Sequence, residues 1–139
     1  MIKDIETKKD INKQWATIKK LCSFSHRQYQ ISEMFINETR SLESYNLPFV
    51  LSFSVLDQVL EILMVEGNFN CSKNHRHGLD CRMKSSKGKL EWKNFCLALI
   101  GKEHRNCLAH EGILLNKKEC LKYINTIEEE LNNWKIIDH

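Results

Sequence analysis

Proline and glycine are scarce in this 139-residue chain, which has one of the first and five of the second. So few turn-formers exclude an all-β sandwich or barrel, which needs a turn roughly every ten residues. A large excess of charge is also missing. The 21 lysines and arginines oppose 18 acids, and a formal net charge of +3 marks neither a polycation nor an acidic solvating tail. No apolar h-region follows Met1 to Asp10, so no secretory signal is expected. The six cysteines are unevenly spaced and include no Cys-x2-Cys pair. A reducing, cytoplasmic setting is therefore expected rather than a disulfide scaffold. The length fits a single domain over 1–139 with one core.

What the chain does have is helical periodicity nearly throughout, which predicts an all-α bundle of four or five helices. Ile11, Trp15, Ile18 and Cys22 recur at spacings of four, three and four, the signature of one helix face. Ser25 with Gln28 offers a capping box for a second helix running to about Tyr45, unless the two segments form one long bent helix. Asn46-Leu47-Pro48 starts the next helix, with proline tolerated in the first turn. Pro48 to Glu66 is apolar nearly all round and approaches membrane-span length. Asp57, Gln58 and Glu61 interrupt it, and a charge at a bilayer centre costs roughly 2.5–3.5 kcal/mol, so a bundle's central helix is expected. Gly67 closes that helix. Helices are further expected from Lys89 to Ile100 and, capped by Asn116, from Lys117 to about Ile137.

Asn68 to Gly88 reads as a long basic loop. From Cys71 to Lys93 the bases Lys73, Arg76, Arg82, Lys84, Lys87, Lys89 and Lys93 face only Asp80 and Glu91. Positive charge gathered this way suits contact with a phosphate backbone, so Lys73, Arg76, Arg82, Lys84 and Lys87 are candidate RNA contacts, although no aromatic residues interleave with them for base stacking. Cys71, His75, His77 and Cys81 could supply a tetrahedral N2S2 zinc shell, on spacings tighter than those of common zinc fingers. The alternative there is a solvated loop, with no cofactor.

The most informative stretch runs from Gly101 to Gly112, centred on Arg105-Asn106-Cys107-Leu108-Ala109-His110. Arginine, a polar residue, three further residues and histidine, set just before the terminal helix, resemble the signature of the HEPN superfamily. The resemblance implies a helical bundle and a metal-independent endoribonuclease. It implies also a symmetric homodimer, joined through the motif-bearing face, whose two chains line one cleft. Arg105, Asn106 and His110 occupy the motif positions. The likeness extends to Asp57, where such domains often carry an acid, and Asp57 is a candidate for orienting Arg105. Proteins of this kind commonly serve as toxins or in phage defence, which implies an RNA substrate and a neutralising antitoxin partner.

The residue types suit that chemistry on their own. Cleaving RNA without a metal requires the 2′-hydroxyl to lose a proton as it attacks phosphorus, and histidine titrates in the right range. A guanidinium is a planar donor fork that stays charged while negative charge builds on the phosphoryl oxygens. On one regular helix, however, five residues separate Arg105 from His110, which leaves them about 140° apart around the axis. Either the helix is irregular near Gly101 to Glu103, or a second chain completes the site. Two other readings stand beside the nuclease: a non-catalytic helical binding module, and a zinc-stabilised RNA-binding protein using the Cys71–Cys81 loop. Cys22, Cys96, Cys107 and Cys120 are expected in the core, with Trp15, Trp92 and Trp134 as core or interface anchors. His104 is expected at the surface.

Overall fold

The computed structural model describes residues 2–35, 45–68, 78–111 and 115–137, excepting the side chains of 24–35 and 109–111. Five helices occupy them: α1 (Ile5–Phe35), α2 (Asn46–Glu66), α3 (Leu79–Ser86), α4 (Phe95–Glu111) and α5 (Lys117–Asn133). No strand occurs among the described residues. The all-α expectation therefore holds.

α2 is the central element and packs against each of the other four helices. Its apolar surround explains the position, since Phe49, Phe53, Val55, Leu56, Val59, Leu60 and Leu63 are all buried. Each such side chain contributes roughly 1.5–3 kcal/mol when removed from water. α2 is long and apolar enough to cross a membrane, yet here it is the helix that the others cover. Its C-terminus is capped by Gly67, whose N–H donates to the Leu63 carbonyl at 2.8 Å. The left-handed turn falls one residue later, at Asn68 with φ 53°.

Along α1 the stripe Ile11, Trp15, Ile18 and Cys22 is buried, as its spacing predicts. Ser25 does not begin a new helix, because α1 continues unbroken to Phe35. Trp15 Nε1 donates to Glu128 Oε2 at 2.7 Å, and Lys19 Nζ pairs with the same oxygen at 3.0 Å, which ties α1 to α5. Trp134 is buried and Trp92 half-buried; they meet edge to face at 4.9 Å, so all three tryptophans are core anchors.

Besides α5, which ends at Asn133 rather than near Ile137, three segments depart from the sequence expectation. Residues 79–86 form helix α3 rather than loop, because Leu79, Met83 and Ser86 repeat at four and three and turn one stripe inward. Residues 89–94 are turns rather than helix. There the N–H groups of Lys89 and Leu90 both donate to the Ser86 carbonyl, and the helix begins only at Phe95. Gly101 lies inside α4 and does not interrupt it. A Cβ at that position would stand 2.6 Å from Phe53 Cζ and 2.8 Å from Tyr123 Cδ1, so the glycine permits close packing against two buried rings.

Candidate functional site

The motif helix is anchored at its start by an acid from another helix. Glu130 of α5 is fully buried and accepts from the Lys93 N–H at 2.8 and 3.1 Å, while Glu129 accepts from Asn94 Nδ2 at 2.9 Å. These carboxylates thus fix Lys93 and Asn94, the two residues that lead into α4, against α5. Burial pushes the Glu130 carboxyl above its ordinary range, although the Lys93 and Asn94 N–H groups oppose that shift.

Further along α4, Lys102 extends from the same side of the helix as Arg105 and Asn106, three and four residues on. Its side chain is buried, and its ammonium donates to Asp80 Oδ1 of α3 at 2.5 Å and to Glu103 Oε1 at 2.7 Å. Burial alone would lower Lys102; the bonds to Asp80 and Glu103 outweigh it and leave the ammonium above its usual value. Hydrogen bonding by Lys102 and then by Lys84, against the effect of burial, holds Asp80 below the ordinary carboxylate value. On the other flank of α3, Arg82 pairs with Asp57 at 2.7 Å and reaches Glu61 at 3.9 Å. The short helix is thus tied to α4 by one ion pair and to α2 by the two that Arg82 makes.

Arg105 and Asn106 line a cleft of about 400 Å³ together with Leu108 of α4 and with Asn46 and Val50 at the start of α2. The wall from α2 is held in place by paired bonds. The Tyr45 N–H donates to the Leu115 carbonyl at 3.1 Å, and the Leu115 N–H donates to Asn46 Oδ1 at 2.8 Å. Arg105 is half-buried, and its Nη2 donates to Asn106 Oδ1 at 3.3 Å. Among the described residues it has no carboxylate partner. A guanidinium in a cleft without a counter-charge is suited to an anionic ligand. A second cleft of about 260 Å³, between α1 and α2, is lined by Gln14, Thr17, Gln58, Ser54 and apolar neighbours, and it contains no charged group. Of these two clefts, only the α2–α4 cleft carries a charged side chain.

The sequence-derived candidates distribute unevenly over this frame. Arg105, Asn106 and the backbone of His110 lie on one continuous helix, Phe95–Glu111; the side chain of His110 lies outside the described residues. Asp57 does not meet Arg105: its carboxylate is taken by Arg82. That pairing also removes Arg82 from the free cations proposed for RNA, since its side chain is 14% exposed and neutralised by two acids. Lys84 pairs with Asp80 at 3.1 Å, and Lys87 lies over the Phe95 ring at 5.0 Å. Lys73, Arg76, Cys71, His75 and His77 lie outside the described residues. Cys81 of α3, the fourth suggested zinc ligand, is buried beside Met64 of α2, its Sγ 4.0 Å from Ser85 Oγ. No group of three or more metal-ligating side chains occurs among the described residues.

Cys22 and Cys120 are buried as expected, but Cys96 and Cys107 are exposed on α4, where the helix turns those positions away from the core. The hydrogen bond with Cys120 pulls the Cys22 thiol below its ordinary value against the effect of burial, with help from Lys19 and Lys117. His104 is exposed, as expected, and its ring rests 5.5 Å from that of Tyr123. Asn46, Val50 and Leu108 were not singled out by sequence. Asn46 carries a helix-start signal, but nothing local indicates that it faces Arg105 from 59 positions away.

Comparison with protein-family models, curated proteins and solved structures finds no match to this chain.

Proposed function

We infer that this protein is a metal-independent endoribonuclease of the HEPN type, acting as a homodimer. The observation that carries the reading is Arg105, a guanidinium without a carboxylate partner among the described residues, set beside Asn106 in the α2–α4 cleft. In the mechanism, His110 accepts the proton of the RNA 2′-hydroxyl as that oxygen attacks the adjacent phosphorus. The 5′-oxygen leaves and takes up a proton from a histidine in its acid form. The products are a 2′,3′-cyclic phosphate and a 5′-hydroxyl. Arg105 holds the phosphoryl oxygens and offsets the charge that gathers on them, and Asn106 orients the phosphate or the histidine.

The regularity of α4 supports the dimeric part of this reading. The helix runs without a break through Gly101 to Glu103, which leaves Arg105 and His110 about 140° apart around its axis. A phosphate reached by both residue types is then best served by Arg105 of one chain and His110 of its partner. The biological setting that goes with this activity is a cytoplasmic toxin or phage-defence effector restrained by a cognate protein.

The test is incubation of the purified chain with RNA in EDTA, reading the end groups of the fragments. Cleavage to cyclic phosphate that is lost in His110→Ala supports the reading. Cleavage abolished by chelation, or unchanged in both His110→Ala and Arg105→Ala, rules it out. RNA binding without any cleavage would favour the non-catalytic module.

A further inference from the structure

The cations of α3 are engaged within the fold, by Asp57 and Glu61 in the case of Arg82 and by Asp80 in that of Lys84. On α4, Lys102 is likewise engaged, by Asp80 and Glu103, whereas two cations of α5 are not. Lys118 and Lys122 stand one turn apart on α5, both exposed, and neither has a carboxylate partner among the described residues. Lys118 is the second residue of α5, at the positive end of the helix dipole, where local stability disfavours a cation. The Lys122 ammonium lies 5.4 Å from the centroid of the Tyr123 ring, and the exposed His104 ring lies 5.5 Å from that same centroid. Tyr123 is itself buried against Phe49 and the Gly101 backbone, so its ring is a fixed support. His104 directly precedes Arg105. Two acids flank this path. Glu103 is turned to Lys102, and Glu119 lies close enough to Tyr123 to help raise its phenol above the usual value, after burial.

We propose that the α4–α5 face formed by Lys118, Lys122 and His104 carries single-stranded RNA to the Arg105 cleft, the lysines on phosphates and the His104 ring under a base. Cations spaced along a helix neutralise successive phosphates, and an exposed imidazole backed by a buried phenol gives an unpaired base a flat surface. A duplex would keep its bases stacked and could not use His104 in this way. The destination of the strand rests on the ribonuclease reading above; the binding face does not.

The test is fluorescence anisotropy of the full chain with a labelled single-stranded 2′-O-methyl RNA, which has no free 2′-hydroxyl and so cannot be cleaved. K118E/K122E is expected to weaken binding about tenfold or more and to flatten the dependence of log K on log salt by about 1.4, the value for two phosphates on a single strand. H104A is expected to weaken binding about fivefold with an unchanged salt slope. K118Q/K122Q should follow the same direction, and K84Q/K87Q should change affinity less than about twofold. A K118E/K122E protein that melts like wild type and binds RNA equally well overturns the proposal, as does an equal or larger loss in K84Q/K87Q. So does a wild type that binds an acidic protein but no RNA. Unmodified RNA of the same sequence separates the two readings. Binding at this face without cleavage sinks the nuclease and leaves the face, whereas cleavage with unaltered K118E/K122E binding sinks the face alone.

Discussion

Arg82 Nη1 lies 2.7 Å from Asp57 Oδ1, joining a residue read as an RNA contact to one read as the partner of Arg105. Each satisfies the other, with Glu61 one helical turn along from Asp57 as a second acceptor at 3.9 Å. The pair belongs to the architecture, pinning α3 onto α2. Arg82→Ala should therefore cost roughly 1–2 kcal/mol of stability, the scale of a hydrogen bond between charged groups with one side partly exposed. Denaturant titration would measure this. RNA cleavage by the variant should stay near wild type at temperatures below its transition, and a selective loss of cleavage with unchanged stability would contradict the assignment.

Gly101 makes a separate prediction about packing. Alanine is the better helix former by about 1 kcal/mol, so an exposed glycine at this position would gain from the change. Here the added methyl meets Phe53 Cζ and Tyr123 Cδ1 at under 3 Å, and both rings are buried. Overpacking costs about 1–3 kcal/mol. Gly101→Ala should lower the thermal midpoint, and pairing it with Phe53→Leu should recover part of the loss. A higher midpoint in the single variant would contradict the observed packing.

Two carboxylates give opposite pH signatures. Asp80 is lowered in the folded state, so its contribution is full above its unfolded value of about 3.9 and fades as pH falls through the lowered folded value. Asp80→Asn should be less stable than wild type at pH 7, with the gap closing in strong acid. Glu130 is raised, so its contribution is full below its unfolded value of about 4.3 and is lost as pH rises through the folded value. Measured against Glu130→Gln, wild type should lose relative stability on going from pH 4 to pH 7. Thermal melts from about pH 2 to pH 7 check both signs, the acid end for Asp80 and the upper end for Glu130.

Composite sites complement. Arg105→Ala should reduce cleavage about a hundredfold or more, the usual cost of removing one electrostatic stabiliser. Its thermal midpoint should hardly move, because the only bond of Arg105 among the described residues is to its neighbour Asn106. Mixing Arg105→Ala with His110→Ala chains should restore part of the activity, since half of the sites in a heterodimer then carry both residues. Activity no greater than the sum of the two inactive proteins would argue that each chain carries its own complete site.

The sequence by itself determined the helical class, the buried stripe of α1, the start and stop of α2 and the Asn116 cap, whose side chain accepts from the Glu119 N–H at 2.8 Å. These are local matters of turn chemistry and apolar period, written within a few residues of where they act. It also picked out Arg105 and Asn106, because their spacing is a short-range pattern. Tertiary structure decided the rest. The short stripe of α3 has too few apolar residues to be distinguished from a loop until α2 and α4 pack against it. Gly101 looks like a helix stop until two rings from distant positions need its missing side chain. Charge behaves in the same way: a cation's sequence neighbours do not reveal whether an acid will neutralise it. Asp57 lies 25 positions before Arg82, and Asp80 lies 22 before Lys102. Only packing in three dimensions separates engaged cations such as Arg82 and Lys102 from Arg105, which lines the cleft.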